Sequence, residues 1–271
     1  MTPSSSSRSV YLIGIAGPTC SGKTTLAKHL ARIIPSSSLL FQDDFAPPSE
    51  LVPVHRVHGF QDWDDPQGAI LWEKQRTAIK HLRTTGTIEG LDHYSHDHLN
   101  EQIPVPISRT VEEKWTKRFE DFFAAKGNEE KPSIVITEGF LMFYDEETVK
   151  EMDSRFFVRE DYSTLKQRRQ DRHGYHTAVQ SDPEGSLWRD PPDYWDLCVW
   201  PAYLKAHSPL FTSQDPTTGP IDPNTLDGVV LLEAREKSME EMVEVCLGEV
   251  WESLNRGGEG GEVGRERWRA P

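Results

Sequence analysis

The chain has little of what secreted, membrane and nucleic-acid-binding proteins need. Its three cysteines, Cys20, Cys198 and Cys246, share no metal-ligand spacing, so a disulfide framework is disfavoured and a reducing compartment is expected. No apolar run approaches the roughly 18 residues of a membrane span, and the N-terminus lacks the apolar core of a secretion signal. With 44 acidic against 30 basic residues, the net charge of -14 disfavours nucleic acid or an anionic membrane as partner. We expect a cytoplasmic monomer or weak homodimer. Entry into the nucleus is not excluded by the sequence.

The order of apolar patterns predicts one folded domain, residues 10–254, between two tails. Short apolar runs alternate with helical periods from "VYLIGIAG" to a closing helix that ends near Leu254, which indicates a parallel α/β sheet. Residues 1–9 and 255–271 have the composition of flexible tails. The segment 90–132 fits the alternation poorly, and we expect an insertion or a peripheral loop-helix unit with one helix around "TVEEKWTKRFEDFFAA". The proline-rich, polar stretch 173–193 is predicted to be a mobile lid.

One motif points directly to chemistry. "GPTCSGKT" matches G-x-x-x-x-G-K-[ST] and lies between an apolar strand and a helix. In such a loop, backbone N–H groups and the helix N-terminus face phosphate oxygens, a lysine adds a charge, and the Thr24 hydroxyl can bind Mg²⁺. The motif predicts a three-layer α/β/α P-loop NTPase fold that binds ATP and Mg²⁺. The residues expected around the nucleotide are Gly17, Thr19, Cys20, Ser21, Gly22, Lys23, Thr24 and Thr25.

Two strand ends carry acidic residues. The run "SLLFQ" leads into Asp43, Asp44 and Phe45, and the run "SIVIT" leads into Glu138. Ligands of parallel sheets bind at the carboxyl ends of the strands, so these side chains are expected near the phosphates. Asp43 is a candidate base toward an acceptor hydroxyl, and Thr24, Asp43 and Glu138 are candidate Mg²⁺ ligands. Phe45 is a candidate wall of the same pocket.

A later helix concentrates positive charge. The stretch "YSTLKQRRQDRHG" places Arg168, Arg169 and Arg172 near one another on the helix surface. A cationic cluster in so acidic a chain predicts an anionic partner, and arginines can neutralise charge on a transferring phosphoryl group. A solvated face or pairing with carboxylates such as Asp171 stays open. Lys23, Asp43 and Glu138 are the expected catalytic residues.

The motifs taken in order carry a family resemblance. "GPTCSGKTT", "QDDF", "DWDDP", "ITEGFLMF", the arginine-rich helix and "DPPDYWDLCVWPAYLK" together resemble the nicotinamide riboside kinases, relatives of uridine kinase among the P-loop kinases. The resemblance runs from about Val10 to Phe211, interrupted by the segment 90–132. It implies a nucleoside-kinase-like fold with a lid. It also implies ATP-dependent phosphorylation of the 5′-hydroxyl of nicotinamide riboside, and of nicotinic acid riboside, which feeds NAD biosynthesis.

The resemblance also implies roles for residues at matching positions. Asp43 would be the base within the metal sphere, Trp63 would stack on the nicotinamide, and Asp64 would hold the ribose hydroxyls. The second aromatic would come from the lid, most simply Tyr175, although the extra residues 179–187 leave Trp188 open. An aromatic face backed by carboxylates attracts a pyridinium cation more than a neutral uracil. The remaining implied positions are Arg168, Arg172, Gly174, Ala234 and Arg235 toward ATP, and Asp44, Phe45 and Arg169 toward the substrate.

Other functions stay open at this point. "GLDHYSHDHLNE" lies where uridine kinases carry a tyrosine-and-histidine segment that recognises the base, so a uridine/cytidine kinase is the main alternative, although "VWPAY" has no counterpart there. A zinc site at His93, His96 and His98 is less expected than a solvated polar loop. A GTPase would need an N-K-x-D motif, which the sequence lacks. A non-catalytic ATP-binding regulatory protein would keep the phosphate loop, and nucleoside-dependent ATP turnover would separate it from an enzyme.

Overall fold

Strands and helices alternate along the chain in the computed structural model. The model describes residues 9–91, 93, 95–100, 102–172, 174–176 and 187–256, with the backbone alone at 128–130. The strands are β1 (Val10–Ala16), β2 (Ser38–Phe41), β3 (Ser133–Gly139), β4 (Ser154–Arg159), β5 (Tyr175–His176), β6 (Leu187–Trp188) and β7 (Val229–Glu233). The helices are α1 (Lys23–Ile33), α2 (Trp72–Thr85), α3 (Arg109–Glu130), α4 (Glu146–Lys150), α5 (Tyr162–Asp171), α6 (Trp200–His207) and α7 (Met239–Arg256). A π-helical segment, Trp195–Val199, leads into α6.

Five strands form one parallel sheet in the order β2-β3-β1-β4-β7. β1 pairs with β3 along its whole length, from Val10 opposite Ser133 to Ala16 opposite Gly139. A central parallel strand is covered on both faces, which explains why β1 reads as a nearly continuous apolar run. The carboxyl ends of β1, β2 and β3 lie at one edge of the sheet, so the segments that follow these strands meet there.

Helices cover both faces of the sheet. On one face α1, α3 and α7 pack together, and Leu30, Phe119 and Val243 are fully buried between them and the strands. On the other face α2 and α6 pack, with Ile79 and Tyr203 buried. This arrangement confirms the predicted three-layer α/β/α class. None of the described helices combines the length and the apolar character needed to cross a membrane.

The helix of the segment 90–132 belongs to the core, which corrects the expectation of a peripheral unit. Trp115, Phe119, Phe122 and Phe123 of α3 are buried in the same cluster as α1 and α7. The Phe122 and Phe119 rings lie 5.3 and 5.6 Å from the ring of Trp251 on α7. Burial of several aromatic rings stabilises the fold substantially, so α3 packs on the sheet layer although its sequence interrupts the strand-helix alternation.

The predicted tails and lid coincide with the described residues only in part. Residues 1–8 and 257–271 of the tails, and residues 173 and 177–186 of the lid, lie outside them. The C-terminal boundary needs a small correction, because α7 continues through Arg256. The described part of the lid is an antiparallel ladder in which Tyr175 of β5 lies opposite Trp188 of β6.

Candidate active site

The phosphate loop connects β1 to α1. Gly17 has a φ of +140°, and a Cβ there would lie 2.2 Å from the carbonyl oxygen of Val158, so the position requires glycine. Lys23 is buried, and its Nζ donates a 2.8 Å hydrogen bond to the Pro18 carbonyl. Burial lowers the pKa of Lys23, although the negative charges of the nearby Glu138 and Asp43 act in the opposite direction. The buried Ser21 hydroxyl has no hydrogen-bond partner among the described residues. An unpaired buried polar atom beside a lysine is consistent with a loop that receives an anion.

Oxygen donors from three elements meet beside Lys23. The Thr24 hydroxyl, in the first turn of α1, donates a 2.8 Å hydrogen bond to Oε1 of Glu138 in β3. Burial raises the pKa of Glu138 to about 7, and the positive charge of Lys23 opposes this shift. Desolvation likewise raises the pKa of Asp43, which follows β2, although the positive charge of Lys23 opposes this shift. Two carboxylates and a hydroxyl on one cavity are the oxygen donors that a hard divalent cation prefers, so these residues fit Mg²⁺.

The same cavity has an aromatic end. The ring centroids of Trp63 and Trp188 are 5.8 Å apart and the rings are tilted by 54°. The backbone N–H of Trp63 donates a 2.9 Å hydrogen bond to the Tyr194 hydroxyl, which holds the loop in place. Asp64 beside it is 6% exposed, and burial raises its pKa to about 6 although Arg169 lowers it. A carboxylate and two indole rings therefore line the end of the cavity.

Arg169 links the two ends of the cavity. Its Nε and Nη2 donate hydrogen bonds of 2.7 and 2.9 Å to the two carboxylate oxygens of Asp190. Its Nη1 donates to the Thr19 hydroxyl at 3.3 Å, and its Nη2 lies 3.9 Å from Oδ2 of Asp64. Asp190 was missed in the sequence, where it is one of several acidic residues in "WRDPPDYWD" and has no distinguishing signal.

The two lid aromatics occupy different places. The guanidinium groups of Arg169 and Arg172 lie 4.2 and 4.4 Å from the ring centroid of Tyr175. The Tyr175 hydroxyl lies 3.1 Å from the sulfur of Cys20 in the phosphate loop. Tyr175 thus contacts the phosphate loop and two cations, whereas Trp188 faces Trp63.

The histidine-rich segment forms a further wall. His93 Nε2 lies 2.8 Å from Oδ2 of Asp44, and the backbone N–H of His96 donates a 2.9 Å hydrogen bond to Oδ1. Burial would raise the pKa of Asp44, but the hydrogen bonds from both histidines outweigh it and lower the pKa. At the other end of the segment, the Asn100 side chain exchanges hydrogen bonds of 3.2 and 3.0 Å with the backbone of His176. The segment therefore bridges Asp44 and the lid.

This wall corrects the expectation of a solvated loop at the histidines. The side chains of His93 and His96 are 9% and 8% exposed, and both contact Asp44, whereas His98 is exposed. The buried Asp44 carboxylate needs hydrogen-bond donors, and the segment supplies them. His93 and His96 therefore bind the Asp44 carboxylate, instead of lying in a solvated loop.

Several expected site residues lie beside the cavity rather than on it. Phe45 is 1% exposed and packs in the core beneath α2, which corrects its expected place as a pocket wall, since burial of the whole ring is favourable. Arg168 donates to the Cys20 carbonyl at 3.2 Å and pairs with Glu160 at 3.2 Å. Arg235 pairs with Asp161 at 3.5 Å, next to Ala234 at the end of β7. Gly174 has a φ of +134° and adjoins the Trp188 carbonyl.

Other residues on the cavity carried no local signal in the sequence. Each is a common residue type outside any motif, and only the packing of distant segments brings it to the wall. They are Ala46, Ala69, Ile70, Gln102 and His176.

The parallel sheet, the phosphate loop and the carboxylates at the strand ends define a kinase-like P-loop α/β protein. The chain is 31% identical to the nicotinamide riboside kinase of Eremothecium gossypii over 209 residues, which cover 77% of this chain and 80% of that protein. It is 32% identical to the nicotinamide riboside kinase of Saccharomyces cerevisiae over 219 residues, 80% of this chain and 85% of that protein. The chain belongs to the nicotinamide riboside kinase family.

Further comparisons include a mammalian relative and a solved structure. Human nicotinamide riboside kinase 1 is 30% identical over 197 residues, 72% of this chain and 75% of that protein. No family model matches the chain. A solved sugar kinase from Janibacter sp. HTCC2649 aligns with 89% of this chain and 94% of its own at 14% identity and a TM-score of 0.42.

Proposed function

We propose that this protein transfers the γ-phosphoryl group of ATP to the 5′-hydroxyl of nicotinamide riboside, giving nicotinamide mononucleotide and ADP. One observation carries the proposal: a single cavity joins Lys23, Asp43 and Glu138 at one end to Trp63 and Asp64 at the other. The first group suits a triphosphate with its metal, and the second suits a cationic ring on a ribose. The names of the relatives agree with this acceptor.

The donor half follows from the phosphate loop. Lys23 and the loop N–H groups would bind the β- and γ-phosphates, while Arg172, on the cavity wall, would approach the transferring group. Thr24, Asp43 and Glu138 would hold Mg²⁺, which when bound neutralises phosphate charge. Arg168 lies against the phosphate loop and would act from outside the cavity. Ala234 and Arg235, after β7, are proposed to contact the adenine.

The acceptor half uses the aromatic end. The Trp63 and Trp188 rings, whose centroids are 5.8 Å apart, would separate to admit a pyridinium ring, which would gain a cation–π contribution of about 0.5–2 kcal/mol. Trp188 is proposed as the second aromatic in preference to Tyr175. Trp188 faces Trp63, whereas the guanidinium groups of Arg169 and Arg172 already pack on the ring of Tyr175. Asp64 would accept hydrogen bonds from the ribose hydroxyls, and Arg169, fixed by Asp190, keeps the Asp64 carboxylate oriented.

Asp43 is proposed as the base. As the acceptor oxygen bonds to the γ-phosphorus and the bond to ADP breaks, the hydroxyl proton passes to the Asp43 carboxylate. Desolvation in the cavity raises the pKa of Asp43, which makes its carboxylate a better proton acceptor than an aspartate with the ordinary pKa. Most of the rate enhancement would come from positioning and from charge stabilisation by Lys23 and Arg172.

A coupled assay of ADP release with four acceptors tests the proposal. Nicotinamide riboside and nicotinic acid riboside are expected to turn over faster than uridine and cytidine, since only a pyridine riboside uses the aromatic end fully. Faster turnover of uridine would assign the protein to the pyrimidine nucleoside kinases. ATP binding without turnover of any acceptor would favour a regulatory ATP-binding protein.

The setting of the reaction is part of the proposal. The three cysteines are free thiols, which suits the reducing cytoplasm. We place the enzyme there as a monomer or weak homodimer that needs neither nucleic acid nor a membrane. The lid, residues 173–193, would close over the bound substrates and keep water from the phosphoryl group.

A further inference from the structure

Three side chains of metal-binding type meet behind the aromatic end of the cavity. One ligand atom each of His55, Asp62 and Cys198 lies within 4.8 Å of the other two. His55 and Asp62 belong to the loop that leads to Trp63, and Cys198 belongs to the π-helical segment before α6. None of the three lines the cavity assigned to phosphoryl transfer. The cluster is therefore separate from the proposed kinase chemistry.

The spacing of these atoms is close to that of a bound zinc ion. Zn²⁺ binds nitrogen, oxygen and sulfur at about 2.0–2.3 Å, so its tetrahedral ligands lie about 3.5 Å apart. Ligand atoms within 4.8 Å need to approach by only about 1 Å, which side-chain rotation can supply. The mixture of imidazole, carboxylate and thiolate suits Zn²⁺ better than Mg²⁺ or Ca²⁺, which prefer oxygen ligands. Three protein ligands leave the fourth position for water.

The loop holds two of the ligands in place before any metal binds. An antiparallel bridge joins Val54 to Gln61, the His55 N–H donates to the Phe60 carbonyl at 2.7 Å, and the Asp62 N–H donates to the Pro53 carbonyl at 2.6 Å. These bonds place His55 and Asp62 diagonally across the Val54–Gln61 bridge, on the same face of a narrow hairpin. The backbone N–H groups near His55 Nδ1 are at 3.3 and 3.4 Å, long contacts that a metal bond can replace at little cost.

Access and charge also fit a cation. All three ligands line an open cavity of about 660 Å³ on the protein surface, which gives an entry path. Asp65 lies on the same cavity, and Arg56 and Lys205 lie at its wall, with Lys205 Nζ 3.5 Å from an Asp65 oxygen. Asp62 beside the Cys198 sulfur and Asp65 on the same cavity supply negative charge that favours a bound cation.

We propose that His55, Asp62 and Cys198 form a site for one Zn²⁺ ion, with water as the fourth ligand. On binding, the Cys198 thiol loses its proton to solvent, and the thiolate bonds to the metal. The ion then links the hairpin that carries Trp63 and Asp64 to the segment behind it. Occupancy would therefore fix the wall that receives the acceptor ring, whatever nucleoside the enzyme uses.

Cobalt titration of the full-length, reduced, metal-free protein tests the site, with Co²⁺ as a spectroscopic substitute for Zn²⁺. We expect one Co²⁺ per chain with a thiolate-to-cobalt charge-transfer band, and loss of that band when one equivalent of Zn²⁺ is added. Cys198→Ser should abolish the band, and His55→Gln should weaken Zn²⁺ binding by about tenfold or more. Cys246→Ser, at a buried thiol of α7, and Cys20→Ser, in the phosphate loop, are the matched controls and should keep the band.

The unfolding temperature is a second measurement, which separates loss of the metal site from a folding defect. Zn²⁺ should raise the unfolding temperature of the wild type and not that of His55→Gln, whose side chain lies on a surface loop and is not part of the core. The site is refuted if no charge-transfer band forms, if the band survives Cys198→Ser, or if it disappears in Cys20→Ser. Equal Zn²⁺ affinity of the wild type and His55→Gln would refute it as well.

Discussion

The hydroxyl of Thr24 donates a 2.8 Å hydrogen bond to Oε1 of Glu138, although 114 positions separate the two residues in the chain. The bond joins the first turn of α1 to the end of the neighbouring strand β3. It places a hydroxyl and a carboxylate at the spot where a cation would meet the phosphates held by Lys23. The pair therefore provides a direct test of metal use.

Glu138→Gln should weaken the response to Mg²⁺. The amide keeps the size of the side chain but removes the charge, so the Mg²⁺ concentration for half-maximal activity should rise by about tenfold or more. Activity measured against free Mg²⁺ at saturating ATP checks this. Thr77→Ala, on the exposed face of α2, serves as the control. An unchanged Mg²⁺ response in Glu138→Gln would remove Glu138 from the metal site.

Asp43→Asn should lower kcat by about 100- to 10,000-fold, the range for loss of a general base. Binding of ATP should persist, because the phosphate loop does not depend on this carboxylate for its shape. Steady-state kinetics together with fluorescent nucleotide binding separate the two effects. Asp44→Asn is the informative neighbour: Asp44 is held by His93 and His96, so its loss should loosen the segment 93–100 and affect KM more than kcat. Equal kcat losses in both variants would argue against a specific base.

Trp188→Ala should raise KM for nicotinamide riboside by about tenfold, since a cation–π contact is worth about 1–2 kcal/mol. KM for ATP should change little. Tyr175→Phe removes the hydroxyl near Cys20 and Thr19, so it should affect KM for ATP instead. Tyr175→Ala removes the ring itself, so the riboside KM of Tyr175→Ala and Trp188→Ala decides between the lid aromatics. A larger riboside effect in Tyr175→Ala than in Trp188→Ala would assign the stacking role to Tyr175.

His207 should make the protein less stable in mild acid. Burial lowers the pKa of His207 to about 4 from an ordinary value of about 6.5. Between these values the unfolded chain binds more protons than the folded one, so the free energy of unfolding falls as the pH falls from about 6.5 to about 4. The shift corresponds to about 3 kcal/mol.

Urea unfolding of His207→Gln and wild type at pH 4.5 and pH 7.5 measures this contribution. The loss of stability on acidification should be smaller in His207→Gln by about 2–3 kcal/mol. His81→Gln, at a partly exposed histidine of α2, should behave like the wild type. Identical acid responses in wild type and His207→Gln would show that His207 is not the titrating group.

Phe119→Ala should destabilise the fold by about 3–5 kcal/mol, the usual cost of truncating a buried phenylalanine. Phe119 is fully buried against α7, so the segment 90–132 contributes to global stability. Denaturant unfolding measures the loss, and Glu120→Ala, exposed on the same helix, should change stability by less than about 0.5 kcal/mol. A small effect of Phe119→Ala would restore the expectation of a peripheral unit.

Local patterns predicted the features that depend on neighbouring residues. The buried run of β1, the glycines of the phosphate loop and the start of α1 lie within one short stretch, where backbone geometry alone sets their roles. The acidic ends of β2 and β3 were also visible, since every strand of a parallel sheet ends at the same edge. The helix α3 was predicted too, but its place in the core was not, because the sequence does not state which surface a helix covers.

The sequence by itself determined the class of protein, the phosphate loop and the carboxylates that surround it. Only the tertiary structure decided that His93 contacts Asp44, that Asp190 orients Arg169, and that Trp188 faces Trp63. These pairs join residues on separate segments, and their contacts depend on how loops pack over the sheet edge. No periodicity or motif within either segment encodes such a contact, because its energy exists only after both segments are in place.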